Sequence, residues 1–385
     1  MRMWVYVVRR LLLLIPVLIG VMTITFVLVS AIPASTRYIS YCGPAPLHGG
    51  QAALNAYLAH CNKLLGLNQP IYTQWGIYLA NTFTFQWGHV GNNTAAVSAV
   101  PHIQGQLVTT VLGWLLPYTL ELALLSLVII LLVALPLGRL SAVYRNRPID
   151  QVARVMSFSG FAIPSFLLGS LALIAMVLVI QHFNLAGCSG SFREVWGSWP
   201  AAGCMPGSTP RNNDYPAWLQ GGIVSTPTGF PTIDAAIHGQ WLIAADTLLR
   251  MIVPALIIAY GSIAVLLRFV RNSMLEVMNL DFIRTARAKG ASEATVIKRH
   301  AGRNSLNVTI TILGLTFAFF IGGFPIIEEV FQLNGVGRIL ALSAQQPYDF
   351  GLIFGTTILF TMIVVSANII VDVVYAFLDP RVRLG

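Results

Sequence analysis

Leu112–Leu140 reads LGWLLPYTLELALLSLVIILLVALPLGRL, 29 residues in which Glu121 is the lone acid and Arg139 the lone base. Crossing a hydrocarbon core of about 30 Å takes roughly 20 consecutive apolar residues in an α-helix. A run this long and this uniformly apolar reads as a membrane span. Pro117 and Pro136 do not count against it, because in a membrane the neighbouring helices satisfy the carbonyls that a proline frees.

Five more stretches pass the same test: Leu11–Ile32, Ser157–Gln181, Leu248–Leu267, Val308–Ile327 and Leu352–Leu378. Pro16, Pro164, Pro254 and Pro325 lie inside these spans or at their ends. The first apolar run is longer than the roughly 7–15-residue core of a signal peptide and is read as a retained span. Composition agrees with the count. The 385 residues are 56% hydrophobic and 10% charged, with a mean hydropathy of +0.73. Soluble domains carry about 25% charged residues, so 14 acids and 23 bases are too few to solvate a fold of this size. The same apolar excess excludes disorder, and four cysteines are too few for a small disulfide scaffold. The fold class is all-α integral membrane, with six transmembrane helices.

The cations set the orientation. Arg2, Arg9 and Arg10 precede the first span, Arg139, Arg145, Arg147 and Arg154 lie between the second and third, and eight bases from Arg268 to Arg303 lie between the fourth and fifth. With Arg381 and Arg383 at the end, seventeen of the 23 bases fall on one side. Arg37, Lys63, Arg193, Arg211, Arg250 and Arg338 remain for the other. The first side is therefore expected in the cytoplasm, both termini included. This leaves two large extracytoplasmic loops, approximately 33–111 and 182–247; the former contains no acid, and the latter is rich in Gly, Pro, Ser and Asn. All four cysteines fall in these loops, two in each, on a side that permits bridges. The expected pairs are Cys42–Cys61 and Cys188–Cys204, out of three possible connectivities.

Residues 268–306, RFVRNSMLEVMNLDFIRTARAKGASEATVIKRHAGRNSL, form the longest basic segment. The fourth span is expected to continue through Arg271 and Glu276. Asp281 reads as the N-cap of a short helix Phe282–Lys289, with Arg287 and Lys289 favourable at its C-terminal dipole. Gly290 supplies the left-handed stop, and Ser292 caps a second helix with Glu293 in its first turn. Ala286, Ala288, Gly290 and Ala291 keep the bend small-sided, so that another protein can approach its backbone closely. A basic helix lying on anionic lipid is the plainer reading. Nucleic acid is excluded for want of interleaved aromatics.

Arg284-Thr285-Ala286-Arg287-Ala288-Lys289-Gly290 and Arg299-His300-Ala301-Gly302-Arg303-Asn304 resemble the EAA loop of ABC-transporter permeases of the dipeptide/oligopeptide branch. Supporting stretches occur in order along the chain: Val8-Arg9-Arg10-Leu11, Ile163-Pro164-Ser165-Phe166, Pro254-Ala255-Leu256, Glu329-Val330-Phe331, Gly335-Val336-Gly337-Arg338 and Leu378-Asp379-Pro380-Arg381. Gly302 and Val308 depart from the branch, which has a larger aliphatic and a proline there. The resemblance implies that 268–306 is an ATPase-coupling loop, with Arg284 to Ser292 seated in a cytoplasmic ATPase. It implies a second homologous permease, two ATPase subunits that bind ATP and Mg, and an extracytoplasmic solute-binding protein. The implied cargo is an oligopeptide or a similar solute such as an oligosaccharide.

This chain itself is expected to bind no cofactor or metal and to catalyse nothing. Its lysines, Lys63, Lys289 and Lys298, are followed by Leu64, Gly290 and Arg299, so no phosphate-cradling Gly-Lys-Ser/Thr motif exists. Two acids fall at membrane depth, Glu121 and Asp372, where ionisable groups are costly and often functional. Both are candidates for the translocation path, with pairing to backbone or helix ends as the plainer reading.

Overall fold

The computed structural model describes residues 3–31, 42, 50–91, 94–100, 103–182, 228–302, 304–305, 316, 320 and 324–378. Every regular element among them is helical: α1 Met3–Ser30, α2 Gly50–Leu65, α3 Ile71–Phe83, α4 Thr94–Ala99, α5 Val108–Val143, α6 Pro148–Ala162, α7 Ser165–His182, α8 Pro231–Ile237, α9 Trp241–Met278, α10 Asp281–Ala288, α11 Glu293–Thr295, α12 Pro325–Val330, α13 Val336–Ser343 and α14 Phe350–Leu378. A π-turn, Val296–Ala301, extends α11.

α5 is the central post. It packs along α9 on one side and touches α13 and α14 on another, while α1 lies against α14 and α3. The core divides into three levels along this post. One end gathers Leu112, Leu115 and Tyr118 of α5 with Met22, Tyr78, Trp87 and Leu352. The middle gathers Leu122, Ile130 and Ala134 with Ile258, Leu266, Phe320 and Phe331. The far end, which carries the arginines of the α5–α6 turn and of α9, gathers Ala142 with Met274, Val277, Ile283 and Val296. This is the basic end of the bundle.

Large apolar side chains also cover the outside. Leu124, Val128 and Leu132 of α5, and Leu171, Ile174 and Leu178 of α7, are about half exposed or more. Water would penalise such a continuous apolar surface, whereas hydrocarbon does not.

Three described segments are long and apolar enough to cross a membrane: Val108–Val143, Thr247–Met278 and Phe350–Ile369. Within α1 the apolar part so identified is the shorter Ile15–Leu28. Most of the expected fifth span, 306–315, 317–319 and 321–323, lies outside the described residues. The expected third span needs correction. Ser157–Gln181 is not one straight helix: α6 and α7 meet at an angle of 103°. Pro164 has no N–H to give the α6 ladder, and its ring forces the preceding residue out of the helical region. Ile163 accordingly sits at φ −98°, ψ 117°, and the Pro164 carbonyl starts the new helix by accepting from the N–H groups of Leu167 and Leu168. Pro16, Pro117, Pro136 and Pro254 are absorbed inside continuous helices.

The first long loop is more structured than its sequence suggested, since α2, α3 and α4 fold within it. Cys42 and Cys61 are bonded there, with their Cα atoms 5.9 Å apart. Cys188 and Cys204 lie outside the described residues, as does 183–227 of the second loop.

Candidate functional site

The elbow expected at 281–302 forms at the basic end. α9 ends at Met278, and α10 follows with Leu280, not Asp281, at its N-cap and no side-chain cap. Asp281 is instead the first helical residue, where its charge still suits the positive end of the helix dipole. The C-terminus of α10 is a complete Schellman closure. The Ala291 N–H donates to the Ala286 carbonyl and the Gly290 N–H to the Arg287 carbonyl. Gly290 sits at φ +81°, the left-handed conformation that this closure demands and that only glycine adopts freely. Ser292 then accepts a hydrogen bond from the Thr295 N–H, capping α11. Across the bend, Arg287 forks onto Glu293 with N···O distances of 2.8 and 3.3 Å. The second arm is one α-turn followed by a π-turn, shorter and wider than the regular helix the sequence led us to expect.

The elbow is seated rather than dangling. Ile283, Val296 and Ala301 are fully buried, packed with Met274 and Val277 of α9 and Ala142 of α5. Ala286 and Ala291 are half-buried in the same cluster. Arg284, Thr285, Ala288, Lys289, Gly290 and Ser292 are exposed. The small residues of the bend thus serve two surfaces: Ala286 and Ala291 let the elbow close on its own bundle, while Ala288 and Gly290 leave a shallow outward face.

Behind the elbow, Asp150 ties three elements together. Its carboxylate is fully buried and accepts from Ser141 Oγ at 2.7 Å, the Asn146 N–H at 2.9 Å, Arg154 Nη2 at 2.7 Å and Arg271 Nε at 2.7 Å. The bonded Arg271 guanidinium, helped by Ser141, Asn146 and Arg154, holds this carboxyl well below the usual carboxylate range. The sequence offered no sign of this knot: Asp150 reads as an ordinary first-turn acid, and its partner Arg271 is 121 residues away.

A cavity of about 390 Å³ lies at the α6–α7 break, lined by Gly160, Ile163, Ser165, Tyr260, Ser262 and Phe324 among others. Ser159 and Tyr260 hydroxyls are hydrogen-bonded beside it. Broken helix at membrane depth is tolerated where it is buried in protein or lines a cavity. Glu121 is not among the described residues that line this cavity. Glu121 has a buried Oε2 with no hydrogen-bond partner, and it lies near Thr232 and Asp234 of α8. Asp372 is in α14, but its side chain lies outside the described residues.

At the end opposite the elbow, sequence reasoning recognised Glu329 and Gly335–Arg338 but not their keystone. Glu328 is fully buried. It accepts from Thr119 Oγ1 and from the Arg338 N–H, each at 3.0 Å, while Thr119 accepts from the Val336 N–H. A Cβ on Gly337 would come within 2.9 Å of Glu328 Oε2 and 2.8 Å of the Pro325 nitrogen, so this turn requires glycine. Glu328→Ala leaves the buried Thr119 hydroxyl and the part-buried Arg338 N–H without this acceptor, at about 1–3 kcal/mol for the buried one and less for the other. Its detergent-solubilised melting temperature should drop by several degrees; an unchanged transition would show that the keystone carries no load.

An apolar helical bundle with a structured, outward-facing elbow on its basic end is the architecture of a transporter's membrane subunit. Sequence relatives identify which kind. Residues 134–384 match the family described as binding-protein-dependent transport system inner membrane component, and residues 3–123 match the N-terminal family of the same membrane components. The chain belongs to this family of ABC-transporter permeases, within its dipeptide/oligopeptide branch, and is a multi-pass protein of the cytoplasmic membrane. It is 32% identical over 385 residues to the probable D,D-dipeptide transport system permease protein DdpB of Escherichia coli K12, covering 100% of this chain and 99% of that protein. It is 32% identical over 378 residues to the oligopeptide transport system permease protein AppB of Bacillus subtilis 168, covering 98% and 99%. Against the dipeptide transport system permease protein DppB of E. coli K12 the identity is 30% over 382 residues, covering 98% of each.

Proposed function

We propose that this chain is the permease subunit of an ATP-driven importer that moves oligopeptides, or similar solutes such as oligosaccharides, across the cell membrane. Six spans place both termini and the 268–306 loop in the cytoplasm, and loops 33–111 and 182–247 outside. A second homologous permease completes the pathway, an external solute-binding protein delivers the cargo, and two cytoplasmic ATPase subunits bind ATP and Mg.

The observation that carries this reading is the seated elbow. A loop that simply connects spans has no need of a Schellman closure, a capped second arm and a buried apolar underside. A lever needs all three, because force applied to its outer face must reach α5 and α9 without being lost in bending. The exposed face from Arg284 to Ser292 is where the ATPase would dock. The cavity at the α6–α7 break is the favoured candidate for part of the solute path, ahead of Glu121 and Asp372, since the hydroxyls of Ser159 and Tyr260 beside it and Ser165 and Ser262 in its wall suit a polar chain in transit.

Co-expressing the tagged full-length chain with the ATPase subunits and second permease of its transport system tests the reading. The expected result is one stable complex whose ATP hydrolysis rises when the loaded solute-binding protein is added. Recovery of the chain without the ATPase, under conditions that keep the two permeases together, would overturn it.

A further inference from the structure

Three elements of the basic end converge on a second cavity, of about 500 Å³. Arg145 enters its wall from the α5–α6 turn, Arg154 and Phe158 from one face of α6, and Arg268 and Arg271 from one face of α9. Four guanidinium groups thus surround one space. Asp150 is the carboxylate bonded to two of them, and its oxygens are already committed to Ser141, Asn146, Arg154 and Arg271. Arg145 and Arg268 have no acidic partner among the described residues. Both are exposed at the cavity's mouth, so their charge is open to an anion that arrives from outside the chain.

Its other walls say what kind of anion would complete it. Phe158 is 74% exposed, and on the same helix Val155 is 66% and Val152 54% exposed. α6 runs antiparallel along the membrane-crossing α9, from Asp150 beside Arg271 to Ser159 and Gly160 beside Tyr260 and Ala264, so its exposed apolar residues face acyl chains while Arg145 stays at the basic end, at headgroup depth. A free phosphate would satisfy the arginines but leave this apolar flank without a purpose. Basic pockets between spanning helices on the cytoplasmic side are suited to anionic lipid headgroups, and a planar guanidinium matches phosphate oxygens in bidentate fashion.

We propose that the cavity formed by Arg145, Arg154, Arg268 and Arg271 binds the phosphate of an anionic phospholipid, with the acyl chains running along the exposed apolar residues of α6. The lipid phosphate bridges the α5–α6 turn to α9 and so braces the two helices on which the elbow rests.

Native mass spectrometry of the full-length protein, equilibrated in turn with phosphatidylglycerol, phosphatidylcholine and inorganic phosphate, tests this directly. The wild-type chain should retain phosphatidylglycerol in preference to phosphatidylcholine, and inorganic phosphate should not displace it. The double variant Arg145→Gln, Arg268→Gln should lose roughly fivefold in retention per arginine, taking about 1 kcal/mol for each cation near an anionic surface. Neither residue holds another part of the fold among the described residues, so the variant should melt like the wild type once both are stripped of lipid, whereas added phosphatidylglycerol should raise the melting temperature of the wild type alone; Lys63→Gln in the first long loop should bind as the wild type does. Without any substitution, retention in the wild type should fall as salt is raised. Equal retention of phosphatidylcholine, an unaltered double variant, or salt-insensitive retention would each overturn the proposal. Displacement by inorganic phosphate would show a soluble-anion site instead.

Discussion

Ala288→Arg is expected to abolish ATP-driven uptake while the protein still inserts, melts normally and pairs with its second permease. Ala288 is exposed at the last turn of α10, beside the left-handed Gly290, and its methyl group is the reason the outer face is shallow. An arginine there fits in water without strain, so stability is untouched. Against a partner's groove it adds the bulk of about six heavy atoms and an unpaired charge, an effect of the size of an interface hot spot, about 2 kcal/mol or more and therefore at least roughly 30-fold in affinity. Two neighbouring substitutions separate docking from integrity. Ala286→Arg strikes the underside, where Ala286 packs with Ile283 and Val296, and should unseat the elbow. Gly290→Pro requires φ near −65° where the chain needs +81°, and it removes the N–H that donates to Arg287. Both should lose uptake along with local protection from hydrogen exchange, whereas Ala288→Arg should lose uptake alone. Normal uptake by Ala288→Arg would leave the elbow without a coupling role.

The contrast between these alanines shows where sequence reasoning reaches its limit. The pattern Ala-x-Ala-x-Gly-Ala is legible as a small-sided bend, and Gly290 and Ser292 announce their backbone roles because their chemistry is local. Which alanine faces inward is not local. It depends on Met274, Val277 and Ala142 arriving from two other helices, and no period within eight residues of α10 reports that. The same holds for the spans. Length and apolarity identify α5 and α9, since a bilayer imposes one thickness on every helix that crosses it. Pro164 and Pro254 look alike in sequence, yet one breaks its helix and the other does not. What differs is tertiary: the α6–α7 break lies beside a cavity, whereas α9 continues through Pro254 packed along α5.

The second large effect is expected at Asp150, which links the turn between α5 and α6 to the shaft of α9. Removing it with Asp150→Ala strips a fully buried acceptor from four donors at once and leaves Arg271, 15% exposed, facing Arg154 with no carboxylate between them. Breaking a buried ion pair from one side costs about 3–5 kcal/mol. The lower figure applies here, because the Arg154 side chain is 46% exposed and water takes over its solvation. Thermal unfolding in detergent should therefore begin at a markedly lower temperature. Transport should suffer further, since the α5–α6 turn and α9 that Asp150 ties together lead directly into the two helices on which the elbow is packed. The pH dependence gives the mechanism its own check. A carboxyl held below its ordinary value contributes fully above the unfolded pKa of about 3.9 and loses that contribution as pH falls through its folded value. Between pH 5 and 8 the wild type should thus show no titration from this site, and the gap between it and Asp150→Ala should stay constant. Acidification toward the folded value should narrow the gap by destabilising the wild type. A gap that instead opened or closed near neutrality would mean that another group, and not this carboxylate, holds the α5–α6 turn against α9.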